Sequence, residues 1–413
     1  IPQNFQPLSH RPARSSHLWR HNFLLHLQRQ QWRFFFHVPH PPALPLRTLT
    51  LFYPLAGQIK SAAVVDCSDA GAFFFDARVH CELARVLNPP DPDSLTSLLP
   101  TDTATVQSCS SATLLVQLSF FDCGGTALSV CMNHKIGDLS SLSTFLKCWA
   151  GGGMAPTPEF VGGSLLQARN LPVMPDMALA AGTCVTRRFV FSGEKIAGLR
   201  EKINGLETRS GKPPSLRPPS RVESILALIL KSAISASRSL SGKPEPAAFF
   251  QTVDLRRRMS PPLPDNTIGN LVWQVPMFIK RGEQLELHEF ISRLRKVMVE
   301  FCDEKAKKLK GMAGFMEVMC SMTKWAVHFM GNRVLYRCSS WCRSPLYEAA
   351  DFGWGRPVWV SSASQEFRNI VVLVDTKDGD GVEAWVSLDK PVMALLERDK
   401  EILEFVSLNP NIL

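Results

Sequence analysis

The residues of this sequence best suited to acid–base chemistry are His134 and Asp138, which fall in the stretch Asn-His-Lys-Ile-Gly-Asp at residues 133–138. An imidazole with a pKa of about 6.5 is largely neutral at pH 7 and can accept a proton from a hydroxyl or an amine. Because chance often supplies a histidine four residues before an aspartate, the pair alone is weak evidence. The secondary structure predicted on either side of the pair indicates whether the two residues can form a site.

Two predicted strands and one predicted helix surround this stretch. Residues 113–121 and 126–132 are rich in β-forming side chains and are joined by the short Gly-rich segment 122–125, a pattern typical of a hairpin. After Asp138, apolar residues recur at helical spacing up to Trp149, and Asp138 occupies the N-cap position. The sequence therefore predicts a histidine held between the end of a buried strand and the start of a helix.

The length and composition indicate an ordinary globular protein. The chain has 413 residues, of which 45% are hydrophobic and 20% charged, and this predicts two or three domains with a large core. The formal net charge is +9, but the basic residues are spread along the chain without a nucleic-acid-binding motif. We therefore expect no nucleic-acid partner and favour an anionic small molecule.

The cysteine spacing indicates the redox compartment and whether a metal site is present, and the hydropathy indicates whether the chain crosses a membrane. Eleven cysteines without disulfide-type spacing predict free thiols in a reducing compartment, by default the cytoplasm. The pairs Cys338/Cys342 and Cys131/His134 lack a second pair at ligand spacing, so no metal site is predicted. No apolar run approaches the roughly 18 to 20 residues of a membrane-spanning helix, so no membrane association is expected.

The first 46 residues differ in character from the rest. They contain six of the ten histidines, no acidic residue occurs before Asp66, and the chain begins with Ile1. Three interpretations compete: an Arg-bearing targeting peptide, a His-rich metal-binding segment, and a sequence outside the native reading frame. The abrupt change near Leu46 favours the third interpretation. We expect this segment to be atypical and disordered or frame-shifted.

The second half of the chain carries two further motifs. A predicted strand ends in the triplet 256–258, three consecutive arginines, and the segment 351–355 reads Asp-Phe-Gly-Trp-Gly. An arginine triplet is usually a solvated surface feature. The Asp-Phe-Gly triplet resembles the metal-binding triplet of protein kinases, but the other kinase motifs are missing. The Gly-rich segment 377–381 has the wrong spacing for a calcium loop and predicts a hairpin turn.

Three motifs in order resemble those of the plant BAHD acyltransferases. They are Tyr-Pro-Leu-Ala-Gly at 53–57, His-x-x-x-Asp at 134–138 and Asp-Phe-Gly-Trp-Gly at 351–355. The similarity spans about residues 47–413. The sequence around the second and third motifs is most similar to the branch that contains vinorine synthase and related alkaloid acetyltransferases. Each motif is weak by itself, whereas the ordered set is specific.

The resemblance implies an α/β fold of two chloramphenicol acetyltransferase-like domains. Each domain would be a mixed β-sheet with flanking helices, and the active-site channel would lie at their interface. We place an atypical segment at 1–46, a first domain at 47–183 and a second domain at 184–413, part of which packs back on the first.

The resemblance also implies a role for each motif residue. His134 would be the general base for direct transfer of an acyl group from CoA to an acceptor, without a covalent enzyme intermediate. Asp138 would be structural and pair with Arg256, and both interpretations of Asp138, as N-cap and as arginine partner, are compatible. The third motif would support the site through Asp351, Gly353, Trp354 and Gly355.

The implied co-substrate is acyl-CoA, most simply acetyl-CoA, with no permanently bound cofactor. The implied acceptor is a hydroxyl or amine of a plant secondary metabolite such as an alkaloid, and basic side chains at the channel mouth would meet the CoA phosphates. The protein is expected to be a cytoplasmic monomer.

Three features depart from the family pattern. Leu139 and Gln58 stand where the family usually has a small residue and an arginine, and residues 1–46 do not resemble the family's N-terminal strand. If that strand is missing, one wall of the channel is incomplete. A catalytically inactive relative, or a pseudogene product that at most binds a small molecule, is therefore the alternative.

Overall fold

A computed structural model describes most of the chain. The described residues are 18–19, 30–37, 46–61, 64–100, 111–154, 157–165, 184–211, 217–329, 334–353, 355–362 and 368–413. Within them, the strands form two large mixed sheets and one small antiparallel sheet. The interpretation of the sequence as a two-domain α/β fold with mixed sheets is confirmed.

The first large sheet contains five strands in the order β12-β2-β7-β6-β5. Only β5 and β6 are parallel; the other neighbours are antiparallel. The strand furthest along the chain, β12, pairs with the strand nearest the N-terminus, so the C-terminal part of the chain completes this sheet. The strands are β2 Gln30–Phe36, β5 Phe73–Val79, β6 Leu114–Phe121, β7 Thr126–Met132 and β12 Trp359–Ser362.

The second large sheet contains seven strands in the order β10-β9-β11-β13-β14-β8-β15. Its central strands β9, β11 and β13 run parallel, and the outer pairs are antiparallel. The strands are β8 Cys184–Phe191, β9 Ala247–Asp254, β10 Val272–Ile279, β11 Val334–Ser340, β13 Ile370–Asp375, β14 Val382–Asp389 and β15 Ser407–Leu408. The small sheet joins β1 Leu18–Trp19, β3 Gln58–Ser61 and β4 Val64–Asp66.

The helices lie between and around these strands, and among the described residues none is both long and apolar enough to cross a membrane. The helix at Leu287–Glu300 continues into a short π-helical turn at Phe301–Lys305 and a 3₁₀ turn at Ala306–Lys308. The helices are α1 Leu46–Leu51, α2 Leu83–Leu87, α3 Leu139–Ala150, α4 Gly162–Leu165, α5 Gly193–Arg209, α6 Arg221–Ser241, α7 Leu287–Glu300, α8 Gly311–Phe329, α9 Leu346–Ala349, α10 Lys390–Leu396 and α11 Lys400–Leu403.

The helices that border the site have clear sequence causes. Helix α6 begins with a capping box, in which Ser220 and Glu223 each accept a hydrogen bond from the other's amide. It ends at Gly242, whose φ of +63° is the left-handed conformation that glycine adopts without strain. Helix α3 buries Leu142, Phe145 and other residues of one apolar face in the core that it shares with the five-stranded sheet.

Strand β2 departs from the expectation for the first 46 residues. We expected no family-like strand there, yet β2 lies inside the five-stranded sheet between β12 and β7. Its residues Trp32, Phe34, Phe35 and Phe36 are almost completely buried because each sheet face packs against a hydrophobic cluster. The expectation of a missing strand was therefore wrong, whereas the remaining residues of 1–46 lie outside the described residues, apart from 18–19, 37 and 46.

One side chain of β2 is poorly matched to its surroundings. Arg33 is fully buried, and its Nη1 donates a hydrogen bond to the carbonyl oxygen of Ser362 at 2.9 Å. Among the described residues, its Nε and Nη2 have no hydrogen-bond partner, and neither does the buried hydroxyl of Ser361 on β12, which stands opposite Arg33 in the sheet. Burial lowers the pKa of Arg33 to about 9, against a smaller opposing effect of Cys131. A buried cation without a carboxylate partner destabilises a fold.

Replacing Arg33 by methionine should stabilise the protein. The substitution Arg33→Met removes the buried charge while it keeps most of the volume, so we expect unfolding to require about 1–4 kcal/mol more. Thermal unfolding of both proteins at pH 7 measures this. The matched control is Arg398→Met, which removes an exposed arginine and should leave the midpoint unchanged. A lower midpoint for Arg33→Met would show that the guanidinium has partners that stabilise it.

Candidate active site

His134 lies in the tight turn that connects β7 to α3. The backbone carbonyl of Asn133 accepts hydrogen bonds from the amides of Ile136 at 2.9 Å and Gly137 at 3.4 Å. The side-chain oxygen of Asn133 accepts a third from the amide of Lys135 at 3.0 Å. Asparagine favours such turns because its side chain can replace a backbone acceptor. The turn is thus fixed by local bonds on both sides of the histidine.

Glycine is required at position 137 by the close approach of the next helix turn. A Cβ atom there would lie 2.7 Å from the Cβ of Ser141 and 2.8 Å from the Sδ of Met132. Neither contact is tolerable for a carbon atom, so a larger residue would push α3 away from the end of β7. This explains the glycine between the histidine and the aspartate.

Asp138 is the N-cap of α3, as the sequence predicts, and it also binds Arg256. Its Oδ1 accepts a hydrogen bond from the amide of Ser141 at 3.0 Å. Its two oxygens accept from Nη1 and Nη2 of Arg256 at 2.7 and 2.9 Å, a bidentate pair. The amide of Leu271 donates to Oδ2 at 2.9 Å. The exposed fractions are 2% for Asp138 and 1% for Arg256.

The other donors of Arg256 bind the loop between β9 and β10. Nε donates to the carbonyl of Thr267 at 3.0 Å, Nη2 to that of Gly269 at 3.2 Å, and Nη1 to Oδ1 of Asp254 at 3.0 Å. Burial alone would lower the pKa of Arg256, but the charges of Asp138 and Asp254 outweigh burial and raise it. Asp138 and Arg256 therefore join the His134 turn to the edge of the seven-stranded sheet.

The structure brings His134, Asp138 and Arg256 to one cavity of about 1000 Å³. Burial is the largest effect on His134 and lowers its pKa below the usual 6.5, against a backbone hydrogen bond, the charge of Asp138 and a hydrogen bond with Asn270. The imidazole is consequently neutral at pH 7, the form in which it can accept a proton. The sequence did not identify Asn270, although it directly follows Gly269, whose carbonyl accepts from the amide of Asp138.

The cavity lies where the start of α3 faces the carboxyl ends of β9 and β11, with α7 along one side. Its lining is mixed, and cationic side chains outnumber carboxylates. The cationic residues in the lining are Lys147, Arg217, Arg256, Arg257, Arg258, Arg295 and Arg343, and the acidic residues are Asp138, Glu223, Asp254, Asp265 and Asp303. A cavity of this size with an excess of positive charge suits an anionic, drug-sized molecule.

The described residues of the third motif do not line this cavity. Asp351 accepts a hydrogen bond from the amide of Gly353 at 3.0 Å, and Phe352 packs edge-on against Trp149 of α3 with ring centroids 5.0 Å apart. Gly353 and Gly355 have φ values of +91° and +100°, which other residues rarely adopt. The loop therefore contacts α3 near its C-terminal end, at Trp149. Trp354 lies outside the described residues.

Among the described residues, no group of three or more His, Cys, Asp or Glu side chains could hold a metal ion. Of the six histidines in the first 46 residues, only His37 is described, and it is exposed. The interpretation of that segment as a metal-binding one therefore falls on residues outside the described part of the chain.

Replacing Asp138 should damage the fold as much as the chemistry. Asp138→Ala leaves the buried guanidinium of Arg256 without its bidentate partner and exposes the first amides of α3, so we expect a loss of about 3–5 kcal/mol in unfolding free energy. Denaturant unfolding of purified protein measures this loss. A variant with wild-type stability that has lost only turnover would contradict a structural role for Asp138.

Comparison with known proteins identifies the family. The model of the Transferase family matches residues 44–403. Akuammiline synthase 1 from Alstonia scholaris is 34% identical over 369 residues, which cover 88% of this chain and 84% of that protein. A limonoid 21-O-acetyltransferase from Melia azedarach is 34% identical over 381 residues, which cover 89% of this chain and 85% of that protein.

Solved structures agree with these relatives. The crystal structure of vinorine synthase superimposes with a TM-score of 0.79 and 27% identity, and the match covers 99% of this chain and 100% of that one. TRI101 from F. graminearum, solved with coenzyme A and T-2 mycotoxin, gives a TM-score of 0.64 at 17% identity and covers 92% of this chain and 96% of its own. At that identity the second likeness shows the fold alone. The chain belongs to the Transferase family, the plant BAHD acyltransferases, and is an acyltransferase for groups other than amino-acyl groups.

Proposed function

We propose that this protein transfers an acetyl group from acetyl-CoA to a hydroxyl of a plant alkaloid or terpenoid, with His134 as general base. The observation that carries the proposal is the placement of the half-buried imidazole of His134 in the wall of a cavity of about 1000 Å³ that is rich in cationic side chains, where burial lowers its pKa. A neutral imidazole accepts a proton, and the cationic wall favours the phosphates of CoA. The family supplies the class of reaction.

The reaction needs one proton to move twice. His134 accepts the proton of the acceptor hydroxyl as the hydroxyl oxygen attacks the thioester carbonyl. When the tetrahedral intermediate collapses, the carbon–sulfur bond breaks and His134 returns the proton to the thiolate of CoA. The acyl group passes directly to the acceptor, so both substrates occupy the cavity together. No covalent enzyme intermediate is required.

In this proposal the other motif residues support the histidine. Asp138 and Arg256 bind each other and hold the turn, because their donor and acceptor atoms are directed at backbone and at one another. The loop with Asp351, Gly353 and Gly355 supports α3 through the ring contact between Phe352 and Trp149. Asn270 positions the imidazole through their hydrogen bond. Each role is structural in the sense that none of these groups exchanges a proton with substrate.

The names of the relatives suggest the acceptor and the donor. Two relatives are limonoid 21-O-acetyltransferases and one, from Strychnos nux-vomica, is an N-malonyltransferase. We infer an O-acetyltransferase because oxygen acetylation recurs among these names. We call the part of the cavity at the carboxyl end of β9 the β9 end. We assign the CoA phosphates to two cations there, Lys147 and Arg258, which form no ion pair with the described residues.

We also propose that the protein acts as a monomer in the cytoplasm. None of the ten described cysteines forms a disulfide, which suits a reducing compartment. No feature of the proposed mechanism requires a second subunit, because His134, Asp138 and Arg256 come from one chain.

Replacing His134 should abolish acyl transfer while the fold remains intact. We expect His134→Ala to lower kcat by about 10²–10⁴-fold, which is the typical contribution of a general base. Release of free thiol from acetyl-CoA, measured with a panel of hydroxylated indole alkaloids and limonoids, tests this. The matched control is Lys135→Ala, because Lys135 is the exposed neighbour and does not line the cavity.

The pH dependence provides an independent check. Since burial lowers the pKa of His134, kcat/KM should stay constant from pH 8 down to about 6.5 and fall only below that value, where the imidazole becomes protonated. If well-folded wild-type protein released no thiol above background with any acceptor, the catalytic proposal would fail in favour of an inactive relative.

A further inference from the structure

A second cluster of arginines lies at the end of the cavity beyond β11, and we call it the arginine end. It differs from the β9 end, where Arg256 holds the His134 turn. Within the described part of the chain, two carboxylates, Glu223 and Asp375, form ion pairs or hydrogen bonds with the cluster. The cluster comprises Arg200, Arg217, Arg221, Arg295 and Arg343.

Three of these arginines donate hydrogen bonds to other groups of the protein. Arg295 donates to both carboxylate oxygens of Glu223 at 2.9 Å, and Arg221 donates to Asp375 at 2.9 Å. The Nε of Arg200 donates to the carbonyl of Pro219 at 2.7 Å. Although burial alone would raise the pKa of Glu223, hydrogen bonds from Arg295 and Ser220 lower it to about 2. Glu223 is therefore ionised at neutral pH, and it already forms an ion pair with Arg295.

The other two arginines have donors to spare. Arg217 makes one contact of 3.2 Å with Glu223, which is shared with Arg295, and its side chain is 67% exposed. The guanidinium of Arg343 forms no ion pair with any residue in the described part of the chain, although it lines the cavity. Arg343 is exposed as well, so both guanidinium groups keep solvated donors that an anionic group can bind at this end of the cavity.

The backbone conformation of Arg343 indicates that the surrounding contacts fix its position. Its φ is +66°, in the left-handed region that residues with a side chain rarely adopt. Its amide donates a hydrogen bond to Oδ2 of Asp375 at 2.5 Å, and the other oxygen of Asp375 binds Arg221. Such a conformation persists only where the surroundings enforce it, and it is often found at ligand sites.

The sheet sets the distance between the two ends of the cavity. Strands β9, β11 and β13 are consecutive parallel neighbours. Arg256 follows the end of β9, whereas Arg343 is held by Asp375, the last residue of β13. Adjacent strands lie about 4.8 Å apart, so the two anchors are separated by about 10 Å along the sheet edge. The two anchors are therefore close enough for one extended molecule to contact both ends of the cavity.

We propose that Arg217 and Arg343 form an anion subsite that binds a phosphate or carboxylate group of a substrate while its reacting group lies at His134. The chemistry common to these groups is a planar or tetrahedral set of anionic oxygens, which a guanidinium binds by paired hydrogen bonds. Three sources fit: the 3′-phosphate of CoA, a carboxylate on the acyl group, and a carboxylate on the acceptor. The inference deepens the proposed acyl transfer and rests on it for the identity of the ligands.

Three matched pairs of probes separate these sources, each differing by one anionic group. They are CoA with 3′-dephospho-CoA, malonyl-CoA with acetyl-CoA, and 4-(hydroxymethyl)benzoate with benzyl alcohol. Calorimetric titration of each probe into the full chain gives its Kd for wild type, Arg343→Gln, Arg217→Gln and Arg343→Lys. The control Arg398→Gln removes an exposed arginine that lines no part of this cavity.

We expect Arg343→Gln to weaken the anionic member of one pair by about tenfold and its partner by less than about twofold, since a charge-assisted hydrogen bond is lost only in the first. Arg217→Gln should act on the same pair, Arg343→Lys should recover part of the loss, and Arg398→Gln should change nothing. The affected pair names the source.

Equal Kd values for both members of all three pairs in wild type, or equal losses in Arg343→Gln, would overturn the subsite. That result leaves thiol release by the wild type unaffected. Failure of the proposed function would instead appear as wild-type protein that releases no thiol, and the benzoate pair would still test the subsite in that case.

Discussion

The buried ion pair between Asp138 and Arg256 is the interaction on which the arrangement of the site depends. It is the point where the helix that follows the His134 turn meets the loop between β9 and β10. The two residues lie 118 positions apart in the chain: Asp138 caps α3, which packs on the five-stranded sheet, and Arg256 follows β9 of the seven-stranded sheet. Because both are buried, loss of either leaves an uncompensated charge in a low-dielectric interior. We therefore interpret Asp138 as a residue that fixes geometry.

The same pair also affects the chemistry of the histidine. A free carboxylate beside His134 would raise its pKa and favour the protonated form, which cannot act as a base. Burial is nevertheless the largest effect and lowers the pKa of His134 below 6.5, against the charge of Asp138, which raises it. In our account, Arg256 satisfies the carboxylate of Asp138, while burial keeps the imidazole neutral for proton transfer.

Much of this site could be predicted from local sequence signals. The β-forming residues before Asn133 and the helical spacing after Asp138 predicted a strand, a turn and a helix, and the structure places β7 at Thr126–Met132 and α3 at Leu139–Ala150. Asn270 could not be predicted, because its contact with His134 depends on how two distant loops meet. Strand β2 was missed since its segment lacks acidic residues and carries Arg33, whose burial opposes the usual rule that unpaired charges stay in solvent. The arginine end likewise follows from the parallel order of β9, β11 and β13.

The most direct measurement of the central claim is the coupling free energy between Asp138 and Arg256. It comes from denaturant unfolding of the wild type, Asp138→Ala, Arg256→Met and the double variant, treated as a double-mutant cycle. The account predicts that the double variant is much less destabilised than the sum of the single variants, with a coupling of about 2–3 kcal/mol, because the second substitution removes the charge that the first one stranded. Additivity within about 0.5 kcal/mol would show that the two residues stabilise the fold independently and would contradict it.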